Sequence, residues 1–160
     1  MASPKNGPFV VTLNNVAVTT ALALIQIKAG TTTNSSVEIL KAWASQSSST
    51  VSAQQRIQIN RVSVTYTVTD FTPIKLGTGA AADATGGSSA QTGTAGTAGS
   101  GTDTDVLVAD VFNVLNGWLY VPTPEERIIV PDGGFVVMKF PAAPAASTTY
   151  TAGIIFQEIG

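Results

Sequence analysis

Apolar residues recur at every second position along this chain, and no stretch sustains the 3.6-residue period of a helix. Residues 61–69 show the pattern best: Val62, Val64, Tyr66 and Val68 fall on one face, Ser63, Thr65, Thr67 and Thr69 on the other. That alternation, in β-branched and aromatic residue types, predicts a half-buried antiparallel strand. Ile57 and Ile59 run out of phase with Val62, which predicts a bulge near Asn60. Further strands are expected over residues 9–13, 20–28, 135–140 and 150–158. Another is expected around Val37, Ile39 and Trp43, with Lys41 as an exception on that face and Trp43 read as core.

The turn chemistry agrees with an all-β chain. Asn116-Gly117, between residues 111–115 and 118–121, predicts a two-residue hairpin because both residues tolerate positive φ. Pro131-Asp132-Gly133-Gly134 predicts a second tight turn, Pro122 and Pro124 mark a break, and Pro141 ends a strand. Roughly eight to ten strands separated by such turns imply a jelly-roll-like antiparallel β-sandwich with minimal helix. A single domain over residues 1–160 is expected, with a flexible N-terminus over about residues 1–8. Residues 77–102 interrupt the order: they are nearly all Gly, Ala, Ser and Thr, with Asp83 as the only charge. With no bulky apolar residue to offset its ordering entropy, this stretch reads as a long flexible loop, or as an arm that orders against a neighbouring subunit. Its threonine near-repeats suggest an ice-binding ladder only superficially, since the glycine content opposes a rigid row.

Composition bears on function. Only 8 Lys+Arg and 10 Asp+Glu occur in 160 residues, and the mean hydropathy is +0.27. Charges this sparse defend a free monomer poorly against self-association, so much of the surface is expected to be covered by neighbours. The net charge of −2 and the dispersal of the basic residues give no footprint for nucleic acid or an anionic membrane. The first eight residues lack the apolar run of a secretory signal, and residues 16–27 are too short and too polar to span a bilayer, so folding in a cytoplasm is expected.

Chemistry is hard to assemble from these residues. Without histidine or cysteine there is no side chain poised near neutrality, no Ser-His or Cys-His pair and no thiolate metal site. No serine sits in a Gly-x-Ser-x-Gly elbow, and adjacent Glu125 and Glu126 would face opposite ways in a strand. Asp103, Asp105 and Asp110 offer the several oxygens that calcium favours, but the EF-hand glycine and terminal glutamate are missing and acidic residues bordering such a loop read as solvated. No catalytic residue, cofactor or metal is expected. Trp118 and Tyr120 share one face of their strand and read as core, as a subunit contact or as a platform for a sugar. With Glu125, Glu126 and Arg127 beside them they form the candidate interface.

Two stretches resemble small proteins encoded in tailed-bacteriophage genomes. One runs Phe112-Asn113-Val114-Leu115-Asn116-Gly117-Trp118 and continues from Val121-Pro122-Thr123-Pro124-Glu125-Glu126-Arg127 to Val130; the other is the ending, from Tyr150-Thr151-Ala152-Gly153 to Gly160. Ser45-Gln46-Ser47-Ser48-Ser49-Thr50 and Ala53-Gln54-Gln55-Arg56 share the likeness, which leaves out residues 77–102. By analogy such proteins look like capsid cement or decoration proteins. The resemblance implies a homo-oligomer, trimer or dimer, made in the host cytoplasm and bound to the major capsid protein on the outside of the virion. The alternatives are a carbohydrate- or receptor-binding module of a virion fibre, or a minor head or tail structural protein.

Overall fold

The strongest inward series near the C-terminus, Tyr150, Ala152, Ile154 and Phe156, is fully or almost fully buried, while Thr151, Ile155 and Gln157 look outward. These residues belong to β12 (Thr148–Ile159), which lies between β1 (Pro4–Val18) and β3 (Ser36–Gln46). The computed structural model describes residues 4–31, 35–48, 51–89, 101–144 and 148–160. The remaining strands are β2 (Leu22–Lys28), β4 (Gln54–Val64), β5 (Thr69–Phe71), β6 (Ile74–Lys75), β7 (Thr85–Ser88), β8 (Thr102–Asn113), β9 (Trp118–Tyr120), β10 (Ile129–Val130) and β11 (Phe135–Phe140). Helix among the described residues is limited to a 3₁₀ turn at Pro124–Glu126.

The strands form two antiparallel sheets packed as a sandwich. Sheet I has the order β10-β3-β12-β1-β6, with β9 also on β3; sheet II has the order β5-β7-β2-β11-β4-β8. The pairings nest: β1 with β12, β2 with β11, β3 with β9 and β10, β4 with β8. Successive nested pairs fall in alternate sheets, an order compatible with a jelly roll. The core lies between the sheets. Phe140 of sheet II meets Tyr150 of sheet I edge-on at 4.8 Å, and Phe9 stacks on Phe156 at 5.7 Å within sheet I.

Several local expectations change. The bulge at Asn60 is present, but the strand predicted over residues 61–69 stops at Val64. Residues 65–68 leave the ladder and cross the outer face of sheet II, where Tyr66 is buried, while Val64 is exposed. The turn at Asn116-Gly117 forms, with Gly117 at φ +72°, yet it is no hairpin: β8 before it belongs to sheet II and β9 after it to sheet I. Likewise Pro131–Gly134, closed by Gly134 N–H donating to the Pro131 carbonyl at 2.8 Å, carries the chain from β10 of sheet I to β11 of sheet II.

The two segments expected to be flexible are partly strand. Pro4 opens β1 opposite Ile159, and Pro8 stands opposite Gln157, so strand pairing begins within residues 1–8; residues 1–3 lie outside the described residues. Within residues 77–102, β7 pairs with β2 and β5. Its glycines are required by close approach: a Cβ on Gly86 would stand 2.6 Å from a Val11 methyl, and one on Gly87 2.6 Å from a Val68 methyl. β7 is thus pressed from the core on one face and from residues 65–68 on the other. Residues 90–100 of the expected loop lie outside the described residues.

Candidate functional site

The residues around β9 occupy one margin of sheet I. Because β9 pairs with β3 through Ala42↔Tyr120 and Ala44↔Trp118, and both alanines are buried, Trp118 and Tyr120 face inward. Trp118 is 7% exposed. Its indole N–H donates to Asp110 Oδ2 at 3.0 Å, and its ring stacks on Tyr120 with centroids 6.2 Å apart and planes 7° from parallel. The Tyr120 hydroxyl donates to the Glu126 carbonyl at 3.3 Å; burial, then the nearby Glu126 charge, raises its pKa. The side chains that β9 and its continuation leave exposed are instead Leu119 (61%) and Val121 (63%).

Glu126, Glu125 and Arg127 follow in the 3₁₀ turn and just after it. The Glu126 carboxylate accepts from the Thr123 hydroxyl at 3.0 Å and from its N–H at 3.4 Å, which fixes the turn. Glu125 is exposed, with no ion pair among the described residues. Arg127 donates to Glu38 at 3.5 Å, and Glu38 also accepts from the Gln157 amide. The five residues singled out from the sequence are therefore brought together, but mainly to build the margin of the sheet.

The outer face of sheet I was not singled out, and it is the more informative surface. Across four strands, Ile74, Val10, Ile155 and Lys41 stand in one register row. In the next row Thr12, Gly153, Trp43 and Leu119 stand side by side. Trp43, expected in the core, lies on this outer face because Leu40 is an extra residue in β3 that reverses the phase after Ile39. Its indole lies across Gly153, where a Cβ would come within 2.1 Å of the ring. Ile74 is 68% exposed, and Ile129, in the row of Glu38 and Gln157, is 50% exposed.

Sheet II carries the polar counterpart. On its outer face Lys139 Nζ donates to Asp103 Oδ2 at 2.6 Å and to the Tyr66 hydroxyl at 2.8 Å. Tyr66 donates to Asp103 Oδ1 at 2.7 Å, and buried Asn60 donates to Asp103 Oδ2 at 2.8 Å. Burial opposes the charge on Asp103, but the hydrogen bonds from Lys139, Tyr66 and Asn60 hold its pKa below the ordinary value. Burial likewise opposes the charge on Lys139, and its bonds to Asp103 and Tyr66 raise its pKa nonetheless. The Tyr66 pKa is raised, first by burial. All three groups are displaced away from neutrality, so at neutral pH the network keeps its protons in place and acts as a strut beside a cleft of about 300 Å³.

Other polar groups also serve the fold. Asp105 pairs with Arg61 and Asp110 serves Trp118, so Asp103, Asp105 and Asp110 are each engaged separately; among the described residues no three carboxylates converge as metal ligands. Glu158, buried in the inward series of β12, accepts from the backbone N–H groups of Asp83 (2.6 Å) and Ala84 (2.7 Å). Its signal in the sequence was a lone charge in phase with Ile154 and Phe156. Comparison with protein-family models, with curated proteins and with solved structures finds no match.

Proposed function

We propose that this protein is a virion structural protein, which binds the outside of a phage head as a homo-oligomer and reinforces it. The observation that carries the reading is the presence of two separate exposed regions, a largely apolar sheet face and an open strand edge, on a sparsely charged molecule. One is the outer face of sheet I. The other is the margin of sheet II, where β8 pairs only with β4 among the described residues and exposes Val106 and Val111 (55% and 53%). A strand edge open over this length is a template for pairing with another chain, and Asp105 and Asp110 on it would restrict that pairing to a complementary partner. A shell component needs both regions: one for its own copies and one for the capsid. The virion setting rests on the resemblance of residues 112–130 and 150–160 to proteins of tailed phages.

The mechanism is area and shape. A standard contact buries about 800 Å² per partner, and repeated contacts around a shell add by avidity, so modest single-site affinity suffices. Lys139, Asp103 and Tyr66 direct their hydrogen bonds at one another and at Asn60, which fits a structural role for the network. A sugar-binding reading draws no support from Trp118 and Tyr120, whose rings turn inward.

The test is to add the purified protein back to particles that lack it and to map where it binds. Binding at defined symmetry positions is expected, with occupancy changing less than tenfold between about 0.1 and 1 M salt, over which the screening length falls from about 10 to about 3 Å. Failure to bind assembled particles, or binding to free glycans instead, overturns the reading. A steep loss with salt would move the contact from apolar area to the few charges.

A further inference from the structure

We infer that the outer face of sheet I is the surface through which copies of this chain bind one another. This deepens the homo-oligomer part of the reading above and rests on it; the β8 margin is left for the shell. The first argument is flatness. Gly153 lets the Trp43 indole lie along the sheet, and the neighbouring positions Ile74, Val10 and Ile155 add apolar groups without a projecting charge. Such a face packs against a second sheet at about 10 Å.

The second argument is size. Strands about 4.8 Å apart and residues rising about 3.3 Å give this face roughly 24 by 26 Å, about 600 Å² in plane before side-chain relief is counted. That is the scale of the about 800 Å² of accessible surface that each partner buries in a stable pair.

The third argument is charge. Glu38 and Arg127 on this face already neutralise each other. Lys41 has no ion pair among the described residues; it rests over Trp43, 5.7 Å from the ring centroid. At the margin of the same sheet, Glu125 is an exposed carboxylate without an ion pair. A second copy supplies a carboxylate for Lys41 and a cation for Glu125, in a contact whose other charges, Glu38 and Arg127, are already paired.

The experiment is sedimentation velocity on the full chain over a concentration series, with circular dichroism to confirm folding. The wild type should sediment as a multiple of 16.4 kDa. Leu119→Glu should weaken association at least tenfold while the spectrum and melting temperature stay close to wild type at low concentration. Lys41→Glu and Glu125→Lys should each weaken it, and the double variant should recover most of the loss. A monomeric wild type overturns the inference, as does unchanged association in Leu119→Glu. So does a Leu119→Glu variant that associates normally but loses particle binding, because the shell would then cover this face. An oligomer dissociated by Leu119→Glu, in a protein that never binds particles, upholds the self-contact and overturns the virion reading instead.

Discussion

The outer faces of the two sheets are built from the same alternating strands but end in opposite states. On sheet II the chain covers its own face: residues 65–68 fold back, Tyr66 is tied to Lys139 and Asp103, and its backbone N–H donates to buried Gln26. Ala23, Val62 and Val137 beneath it are almost fully buried. On sheet I no described segment does this, and Ile74, Leu119 and Ile129 stay exposed. A sheet face can thus be closed by intramolecular cover, whose cost and benefit both belong to folding, or left for another molecule, whose contribution depends on concentration.

The sharpest way to break this comparison is to remove the cover. Tyr66→Ala should destabilise the isolated protein by about 3 kcal/mol, the usual range for truncating a buried aromatic, measured by urea unfolding. A loss under about 1 kcal/mol would show that sheet II does not depend on its lid.

Next in size is the response to pH. Asp103 has a folded pKa below its unfolded value, so its stabilisation is present above about pH 4 and fades as pH falls through the folded value. Lys139 and Tyr66 have raised values, so theirs is present below about pH 10 and fades as pH rises through the folded values. A stability plateau with losses at both ends is expected, and Asp103→Asn should flatten the acid limb by about 1 kcal/mol. An unchanged acid limb would show that other carboxylates govern acid unfolding.

Two smaller effects belong to sheet I. Gly153→Ala should push the Trp43 indole off the sheet, weakening association while costing about 1 kcal/mol or less in unfolding at low concentration. Leu119→Ser, on a surface nothing in the described chain covers, should change monomer stability by less than about 0.5 kcal/mol. If it costs as much as Tyr66→Ala, the two faces do not differ in the way described.

Much of the architecture was legible in the sequence: burial on one side imposes period 2 on β12 and exposes the bulge at Asn60 as a break in phase, while β2 and β11, buried on most residues, show as nearly continuous apolar runs. What was hidden depends on which strands meet. Asn116-Gly117 has the residues of a hairpin turn, but local chemistry does not say whether the flanking strands pair with each other or belong to opposite sheets. Trp43 changed sides through one bulged residue. Glycine-rich β7 has no side-chain signature, since its glycines answer to Val11 and Val68, distant in sequence. At the candidate interface the sequence pattern placed Trp118 and Tyr120 on one face, but not that this face is the inner one, so that their neighbours Leu119 and Val121 are the exposed groups.

The nested pairing also sets an order of events in synthesis. β1 finds its main partner only in β12, and β3 likewise depends on β12, so the centre of sheet I is missing until β12 has left the ribosome. Contacts between such distant segments give the chain a high contact order, and β-sandwiches of this kind typically fold in milliseconds to seconds. During that interval the long edges of β1 and β3 stand open together. Productive folding is therefore a race between closure by β12 and pairing with another nascent chain, and slowing translation before residue 148 should raise the aggregated fraction.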